Sequence, residues 1–467
     1  MTPDEWRKAQ SRRVVRYAHF DPKVSLDRCW KDISSPEEVA THAFMPFIHY
    51  TKTMRKVKNG KKHEPKKREI FYAAHKDAWI YRYYAYLLNV LYNERVKQDG
   101  IHAVAVAYRN NLQGQNNIDF AHDAFRFIKA CRSCCVMIGD FTSFFDNLDH
   151  RHLKAQLCDL LSVEQLPADY YAVFKSVTRF SYVEMNDLFE YHGLEKTRKG
   201  QRQLNRMDTV LDIKTLRSWK KKFKRNPNFA KGKGVPQGSP ISAALANVYM
   251  LEADKQIYEY VLSLRGFYMR YSDDFMVIIP DVTPEEFGKH YEAIRKYVTA
   301  AGGIELKEEK TKAFFYANGS VRNCISEVIL GQKNGKNSID FLGFSFDGKE
   351  IRLREKTISK YYNRMRRKAR TIFRSNGTTK KGNRISGNEL YRKYSYKGSV
   401  AYRRAKGEDV GNGLTDRNLF DYLRSAHRKM GNDFVDTLTP RHMGRIRRFI
   451  NGKPGKNHKK PKPEAQG

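Results

Sequence analysis

Two adjacent aspartates, Asp273 and Asp274, are the residues that most clearly suggest chemistry. They lie between two β-favouring runs, residues 267–271 and 275–279, which predict a hairpin with both carboxylates at its tip. Neighbouring like charges raise each other's pKa, and a divalent cation removes that penalty. The pair therefore indicates a metal site, although a solvated acidic turn would also fit these residues.

A third carboxylate, Asp140, follows the apolar run 134–138, which predicts a buried strand. The aromatic residues Phe141, Phe144 and Phe145 come directly after it. A carboxylate at the end of a strand, with aromatic side chains behind it, suits a cation site shaped for a ligand. A structural aspartate that caps the following helix is the alternative interpretation.

Residues 234–242 read Gly-Val-Pro-Gln-Gly-Ser-Pro-Ile-Ser and predict a turn, followed by a helix at 243–251. Glycine lets a flat ligand approach the backbone, and Gln237 can present an amide to that ligand. The turn is thus a candidate binding element.

Residues 52–68 hold nine lysines or arginines and one glutamate, with Gly60 at the centre. This pattern predicts a hairpin with a basic tip, after which 70–72 resumes a strand. Lys67 and Arg68 could hold triphosphate or template phosphates. A solvated charged loop is the alternative.

Other elements must position these residues. A buried helix is predicted at 77–93 and a second helix at 284–300. Residues 302–311 predict a turn and a strand that ends at Lys310, and 341–344 predict a short apolar hairpin.

The formal net charge of +37 on 467 residues indicates a polyanionic partner, most often nucleic acid. With 40% apolar residues the chain can form a folded core. It contains no apolar run near the ~18 residues of a spanning helix and no signal-peptide core, which predicts a cytoplasmic protein with no membrane partner.

The positive charge is concentrated in two places. Residues 185–233 contain fourteen lysines or arginines and suggest an inserted arm that contacts nucleic-acid backbone, with a solvated face as the alternative. Residues 351–467 contain 32 basic and nine acidic residues. Tyrosines interleaved with cations there suit stacking on bases and phosphate contact.

The motifs occur in the order Asp140, turn 236–238, aspartates 273–274, Lys310 and hairpin 341–344. In that order they resemble the palm of the reverse transcriptase family, whose motifs are an aspartate followed five residues later by an aromatic, a Pro-Gln-Gly turn, a Tyr-x-Asp-Asp hairpin, a lysine-bearing strand and a primer-gripping hairpin. The resemblance implies an α+β right-hand polymerase with fingers, palm and a basic, mainly helical thumb.

The resemblance and the charge distribution together suggest domain boundaries. We expect an N-terminal extension at 1–50 and fingers and palm at 51–350, with the basic insertion at 185–233. A helical thumb and RNA-binding region would follow at 351–450, and a disordered tail at 451–467.

The resemblance also implies roles for individual residues. Asp140 and Asp273 would bridge two Mg²⁺ ions, Asp274 would support them, and Lys310 is a candidate acid for the leaving pyrophosphate. Phe145 would exclude a 2′-hydroxyl and so select deoxynucleotides. The expected substrate-binding residues are Lys67, Arg68, Phe145, Gln237, Gly238 and Tyr271. Ser272 occupies the variable position of the turn, and we expect no catalytic role for it.

The implied activity is RNA-directed DNA polymerase, a nucleotidyltransferase that adds deoxynucleotides on an RNA template to give a DNA product. Residues 70–93, 108–109 and 125–128 resemble the bacterial abortive-infection and defence-associated reverse transcriptases, which implies antiphage defence and a dedicated non-coding RNA partner. Group II intron-like and diversity-generating enzymes are alternatives, as is a non-catalytic RNA-binding scaffold. The sequence leaves the primer and the oligomeric state open.

Overall fold

The computed structural model describes residues 1–13, 15–58, 61–374, 377–378, 384, 386–410, 417–432, 434, 444 and 448. The predicted tail, 451–467, and the predicted hairpin tip, Gly60, lie outside the described residues. The chain divides into two compact units. The first unit comprises 1–114, 132–315 and 323–335, and the second comprises 115–131, 316–322 and 336–467. The domain boundaries proposed from the sequence stay predictions.

Helices and strands alternate irregularly, which confirms the predicted α+β class. The helices are α1 Pro3–Gln10, α2 Leu26–Ser34, α3 Pro36–Thr41, α4 His75–Gln98, α5 Asn117–Ala130, α6 His150–Leu161, α7 Ala168–Thr178, α8 Met185–Tyr191, α9 Arg198–Leu204, α10 Ile213–Ser218, α11 Ser242–Tyr249, α12 Leu251–Ser263, α13 Pro284–Ala300, α14 Ile325–Val328, α15 Glu355–Arg374, α16 Gly387–Tyr394, α17 Val400–Ala405 and α18 Leu419–Met430.

The strands are β1 Phe47–Thr51, β2 Met54–Lys58, β3 Lys61–Lys66, β4 Glu69–Tyr72, β5 Ser133–Asp140, β6 Ser181–Glu184, β7 Lys224–Arg225, β8 Phe267–Tyr271, β9 Asp274–Pro280, β10 Lys312–Ala317, β11 Ser320–Asn323, β12 Ile339–Phe341, β13 Phe344–Phe346 and β14 Ile351–Leu353. None of the described helices has the length and apolar character needed to cross a membrane.

The core of the first unit contains four adjacent strands of a five-stranded sheet, in the order β10-β5-β9-β8. Strand β5 lies antiparallel to β9, and β9 lies antiparallel to β8. Residues 134–137 of β5 and 275–279 of β9 are completely buried. Both segments are continuous apolar runs, as expected for strands that are covered on both faces. Helices α4, α11, α12 and α13 contribute buried side chains to the same core.

A second sheet has the order β4-β1-β6-β7, and the basic hairpin β2–β3 precedes β4. The hairpin and the strand at 70–72 were predicted from the sequence and are confirmed.

Asp21 lies in the N-terminal segment between α1 and α2, beside the first residues of α4. Its carboxylate accepts from the backbone amides of His75 and Lys76, each over 2.9 Å. The N-terminal segment therefore caps the long buried helix.

The basic block 185–233 folds more compactly than the arm that we expected. It contains α8, α9, α10 and β7, and its buried apolar residues form a cluster with Ala18, Phe20, Ile48 and Val183. The buried residues of the block in that cluster are Met185, Leu188, Phe189, Leu204, Val210, Leu211, Leu216 and Trp219. Its apolar residues thus anchor it while the lysines remain on the surface.

The second unit holds α5, the three-stranded sheet β12-β13-β14 and helices α15 to α18. The predicted hairpin at 341–344 is confirmed, with Phe341 paired to Phe344. Asn117 of α5 donates to the Leu342 carbonyl and to the Tyr422 hydroxyl, each over 2.8 Å. These bonds tie α5 to this hairpin and to α18.

Candidate active site

The hairpin β8–β9 carries the aspartate pair, as predicted. Tyr271 is paired with Asp274, so Ser272 and Asp273 alone form the turn. Ser272 has a positive φ of 64°, a backbone conformation that is uncommon for residues other than glycine. Two-residue hairpin turns require such a residue, and here the requirement falls on the variable position of the motif.

Asp140 ends β5 directly opposite Asp274, the first residue of β9. Residues opposite each other on antiparallel strands project to the same face, with Cβ atoms about 4.5–5.5 Å apart. The backbone amide of Phe141 also donates to the Asp273 carbonyl over 3.3 Å. All three predicted aspartates therefore lie at the same end of the central sheet.

Lys310 lies in a different element from the one predicted. The segment before it pairs only briefly with the last residue of β5 and the two residues that follow. The Lys307 amide donates to the Asp140 carbonyl over 2.8 Å, and the Thr142 amide donates to the Glu305 carbonyl over 3.0 Å. A bridge joins Phe141 and Leu306 between these two bonds. The chain then forms a 3₁₀ helix at Glu308–Lys310, and strand β10 begins two residues later. The expected strand ending at Lys310 was thus wrong. The tight turn still brings the Lys310 ammonium to the Asp140 carboxylate, with which it forms an ion pair.

The donor set at this end of the sheet fits Mg²⁺, which prefers carboxylate oxygens. Asp140 and Asp274 are facing like charges, and a cation between them would remove their repulsion. Within the described part of the chain, no three His, Cys, Asp or Glu side chains stand close enough to enclose an ion. Binding would require the three aspartate side chains to converge.

Phe145 belongs to a short 3₁₀ helix, Phe144–Asp146, just after β5. The rings of Phe141 and Phe275 stack with centroids 5.4 Å apart, and Phe144 packs on Phe141 at 5.1 Å. Phe145 is half-buried, and its carbonyl accepts from the Val235 amide over 2.9 Å. This bond places Phe145 beside the start of the Pro-Gln-Gly turn.

The Pro-Gln-Gly turn contacts strand β4. The Gln237 carbonyl accepts from the Phe71 amide over 2.9 Å. Gly238 has a φ of 117°, and a Cβ atom there would lie 2.6 Å from the Phe71 carbonyl oxygen. Only glycine allows this close approach. Glycine is therefore required at position 238 by the close contact between the turn and β4.

Lys67 and Arg68 are exposed just before β4, four and three residues before Phe71 respectively. The backbone of Arg68 forms a reciprocal pair with Lys52, over 2.8 and 3.1 Å. Among the described residues, no contact joins either cation to the aspartates. The structure thus places Asp140, Asp273, Asp274 and Lys310 at one end of the sheet. In the described part of the chain, Lys67 and Arg68 are connected to this site through β4 and the Pro-Gln-Gly turn.

Tyr271, the remaining expected substrate-binding residue, is half-buried beside the turn. Burial raises the pKa of its hydroxyl, and nearby Tyr108 adds to the effect. Desolvation likewise raises the pKa of Asp146, next to Phe145, and the charge of Glu69 contributes. Both groups lie beside predicted substrate-binding positions.

Three residues of this site were missed from the sequence. Arg270 and Asp254 are completely buried and form an ion pair beneath the turn, with Nη2 to Oδ2 at 2.5 Å. The Tyr108 hydroxyl lies 2.8 Å from Ser272 Oγ. An arginine inside a strand that is otherwise apolar was the available signal for Arg270, because buried charges are almost always paired.

The reverse transcriptase (RNA-dependent DNA polymerase) family model matches residues 88–346, more than half of the chain. No curated protein sequence matches the chain. Among solved structures, it is similar to apo telomerase from Candida tropicalis truncated from the C-terminal domain, at 14% identity and a TM-score of 0.37, covering 70% of this chain and 60% of that one.

The chain is also similar to telomerase from Candida albicans in complex with a TWJ fragment of telomeric RNA, at 14% identity and a TM-score of 0.37. That match covers 89% of this chain and 65% of the telomerase. The chain thus spans less than two thirds of the length of either telomerase chain. Since the matched residues of the family model include Asp140, the Pro-Gln-Gly turn and the aspartate hairpin, this chain belongs to the reverse transcriptase (RNA-dependent DNA polymerase) family.

Proposed function

We propose that the chain is an RNA-directed DNA polymerase that adds deoxynucleotides to a primer on an RNA template. The observation that carries this proposal is the pairing of Asp140 with Asp274 at the end of the central sheet, next to Asp273. When bound there, two Mg²⁺ ions would activate the primer 3′-hydroxyl and stabilise the pyrophosphate that leaves the α-phosphorus. Asp140, Asp273 and Asp274 would hold them.

The other residues have separate tasks in this proposal. Lys67 and Arg68 neutralise the triphosphate, and Gln237 and Gly238 line the incoming nucleotide. Phe145 lies under the sugar and leaves no room for a 2′-hydroxyl. Lys310, held by Asp140, gives its proton to the leaving pyrophosphate. Its ion pair keeps the ammonium at the carboxylate cluster.

Incorporation of labelled nucleotides by the purified full chain tests this function. The assay uses co-purifying RNA, Mg²⁺ and either deoxy- or ribonucleotides, with Asp273→Asn as the site variant. Asp281→Asn is the matched control, since Asp281 is an exposed aspartate just beyond the other end of β9. We expect incorporation of deoxynucleotides that Asp273→Asn abolishes and Asp281→Asn preserves. Incorporation that survives Asp273→Asn would falsify the assigned site, and no incorporation at all would favour an RNA-binding scaffold.

The partner that we propose is a dedicated non-coding RNA, bound by the second unit. Two cavities in that unit support this assignment. One, of about 350 Å³, has Arg404, Arg417, Arg424 and Arg428 among its lining residues, with Asp421 as the single acidic one. The other, of about 760 Å³, shares Arg417 with the first, and its further basic residues are Lys360, Arg364, Arg392 and Lys393. Arginine pairs well with phosphate, and neighbouring basic cavities suit successive phosphates of one strand.

Salt dependence of RNA binding tests this surface. The association constant for single-stranded RNA falls as salt rises, and each phosphate contact that is lost should make the slope of its logarithm against log salt concentration shallower by about 0.7. We expect Arg417→Gln and Arg424→Gln to reduce the slope, and Arg126→Gln, an exposed arginine on α5, to leave it unchanged. Deletion of residues 351–467 should abolish tight binding. An unchanged slope in both cavity variants contradicts the assignment.

We further propose a role in bacterial antiphage defence, in the cytoplasm. Its support is the resemblance of residues 70–93, 108–109 and 125–128 to defence-associated reverse transcriptases. Phage plating on bacteria that express the wild-type chain or Asp273→Asn tests the role. Protection by the wild type alone is the expected result, and equal plaque counts on both strains contradict it.

A further inference from the structure

The backbone and the side chain of Ser272 are both held in place, although this residue is the variable one of the turn. Its carbonyl accepts from Nη1 of Arg270 over 3.0 Å. Its hydroxyl lies 2.8 Å from the hydroxyl of Tyr108. Ser272 is buried and has a positive φ. A turn residue in a sparsely populated conformation persists when its surroundings fix it, and such residues cluster at functional sites.

Arg270 is the centre of the buried network below the turn. Its Nε contacts both oxygens of Asp254, over 2.9 and 3.0 Å, and its Nη1 lies 3.4 Å from Oδ1 of Asn247. The Tyr268 hydroxyl donates to the same Asp254 carboxylate over 2.8 Å. Burial opposes the charge on Arg270, but Asp254 outweighs burial and raises the pKa of Arg270 above its ordinary value. The guanidinium is therefore charged and fixed.

Residues 104–108 run beside β8 and hold the backbone of Arg270 through hydrogen bonds. The Arg270 amide donates to the Val104 carbonyl over 2.8 Å, and the Val106 amide donates to the Arg270 carbonyl over 3.0 Å. Two residues further along this segment is Tyr108, which has a φ of 64° and reaches Ser272. Arg270 is thus fixed through its backbone and through its side chain.

A buried ion pair is weak evidence for stability, because replacement by well-packed apolar residues is often neutral or stabilising. The pair beneath the turn differs from a generic core pair in one respect. One guanidinium nitrogen is directed to the carbonyl immediately before Asp273, and an apolar side chain could not make that bond. Retention of a charged pair here is explained by the geometry that it imposes on the turn.

We propose that Arg270 is a positioning residue, anchored by Asp254, that fixes the Ser272 carbonyl and thereby the directions in which Asp273 and Asp274 project. Arg270 touches neither substrate nor the reacting atoms, and acts through the turn. The inference rests on the proposed polymerase function for its activity readout only. Displacement of a catalytic group by about 1 Å can lower a rate about 100-fold, so a small relaxation of the turn has a large effect.

The test replaces the whole network by apolar residues in one variant, Asp254→Leu with Tyr268→Phe and Arg270→Met. This variant leaves no buried charge without a partner, and its folding is checked by thermal unfolding. We expect a folded protein whose kcat is about 100-fold lower, with the KM for deoxynucleotide changed less than about threefold. A kcat within about threefold of the wild type would show a purely structural pair and overturn the proposal.

A second variant covers the case in which the triple variant does not fold. Arg270→Lys keeps a positive charge for Asp254 but lacks the planar fork that reaches Asp254 and Ser272 together. We expect it to fold and to lose at least about tenfold in kcat, and wild-type kcat in this variant overturns the proposal. Arg95→Met is the control, because Arg95 forms ion pairs with Asp99 and Asp159 away from the turn. It should leave kcat unchanged.

Hydrogen exchange gives a readout that does not depend on activity. Amides of residues 271–275 should exchange faster in the Arg270 variants than in the wild type, while those of α13 stay the same. Unchanged exchange at the turn contradicts the positioning role. Absence of incorporation in the wild type, with faster exchange in the variants, would refute the proposed function and leave the inference about the turn standing.

Discussion

Asp140 lies directly opposite Asp274 on antiparallel strands, and the ammonium of Lys310 forms an ion pair with Asp140. Like charges that face each other on a sheet are destabilising by about 0.2–1 kcal/mol. Asp274→Asn removes the repulsion without disturbing the ion pair. We therefore expect the variant to be slightly more stable than the wild type in EDTA, by urea unfolding, and to be inactive in the incorporation assay. Lower stability together with wild-type incorporation would contradict this assignment.

Replacement of Lys310 by methionine separates chemistry from stability. The Lys310 side chain is 43% exposed, and ion pairs with that much solvent contribute only about 0–1 kcal/mol. Loss of a general acid, by contrast, lowers kcat about 100-fold or more. We expect a near-normal unfolding midpoint and a large fall in kcat. Lys296→Met, an exposed lysine on α13, is the control. Equal effects of the two substitutions on kcat would exclude an acid role for Lys310.

The sugar selection proposed for Phe145 predicts a change in specificity. Its backbone is fixed by the Val235 amide, so Phe145→Ala removes the ring without displacing the turn. We expect the preference for deoxy- over ribonucleotides to fall about 10-fold or more, because space opens for the 2′-hydroxyl. Competition between labelled nucleotides measures the ratio. Phe174→Ala is a control at a half-buried ring of α7. An unchanged ratio in Phe145→Ala would place the selecting group elsewhere.

Much of the site follows from local sequence pattern. The hairpin at 267–280 and the strand that ends at Asp140 were predicted correctly, because uninterrupted apolar runs beside short polar turns specify buried strands. Gly238 was placed in a binding turn for its backbone freedom. The structure supplies the reason, since the Phe71 carbonyl leaves no room for a Cβ atom.

The parts that sequence reasoning missed depend on distant partners. The segment before Lys310 was predicted to be a strand, but only residues 305–307 find pairing partners, at residues 140–142. The chain then turns into a 3₁₀ helix. Asp254 precedes Arg270 by sixteen positions and lies in a helix, α12, with no local pattern to join them. Three-dimensional packing decides both arrangements, and neither periodicity nor spacing carries that information.

The cap on the long helix α4 gives a stability prediction for the N-terminal segment. Asp21 accepts from the amides of His75 and Lys76, the first two residues of this buried helix. Asp21→Ala leaves both amides without this partner and should lower the free energy of unfolding by about 1 kcal/mol. Asp4→Ala, an exposed aspartate in the first turn of α1, is the control. Equal urea midpoints for the two variants would show that the carboxylate is dispensable.

The buried histidine His19 should make the free energy of unfolding depend on pH. It is completely buried, its Nδ1 accepts from the Phe20 amide over 2.9 Å, and its Nε2 lies 3.2 Å from the Tyr72 carbonyl. Burial lowers the pKa of His19 to about 3, and the Tyr72 carbonyl opposes the effect only in part. The folded protein therefore binds a proton at His19 more weakly than the unfolded chain does. The stabilisation that neutral His19 contributes is fully present above a pH of about 6.5 and is lost as the pH falls towards 3.

Between pH 6.5 and pH 5 the contribution of His19 amounts to about 2 kcal/mol. His19→Asn cannot be protonated, so its unfolding free energy should fall less steeply over that interval than that of the wild type. Urea unfolding at pH 7.5, 6.0 and 5.0 measures both slopes. His122→Asn, on α5, controls for the loss of an ordinary histidine. Equal slopes of unfolding free energy against pH in the wild type and His19→Asn would show that His19 does not cause the acid sensitivity. A smaller slope in His19→Asn alone would assign the acid sensitivity to His19, where the N-terminal segment contacts β4.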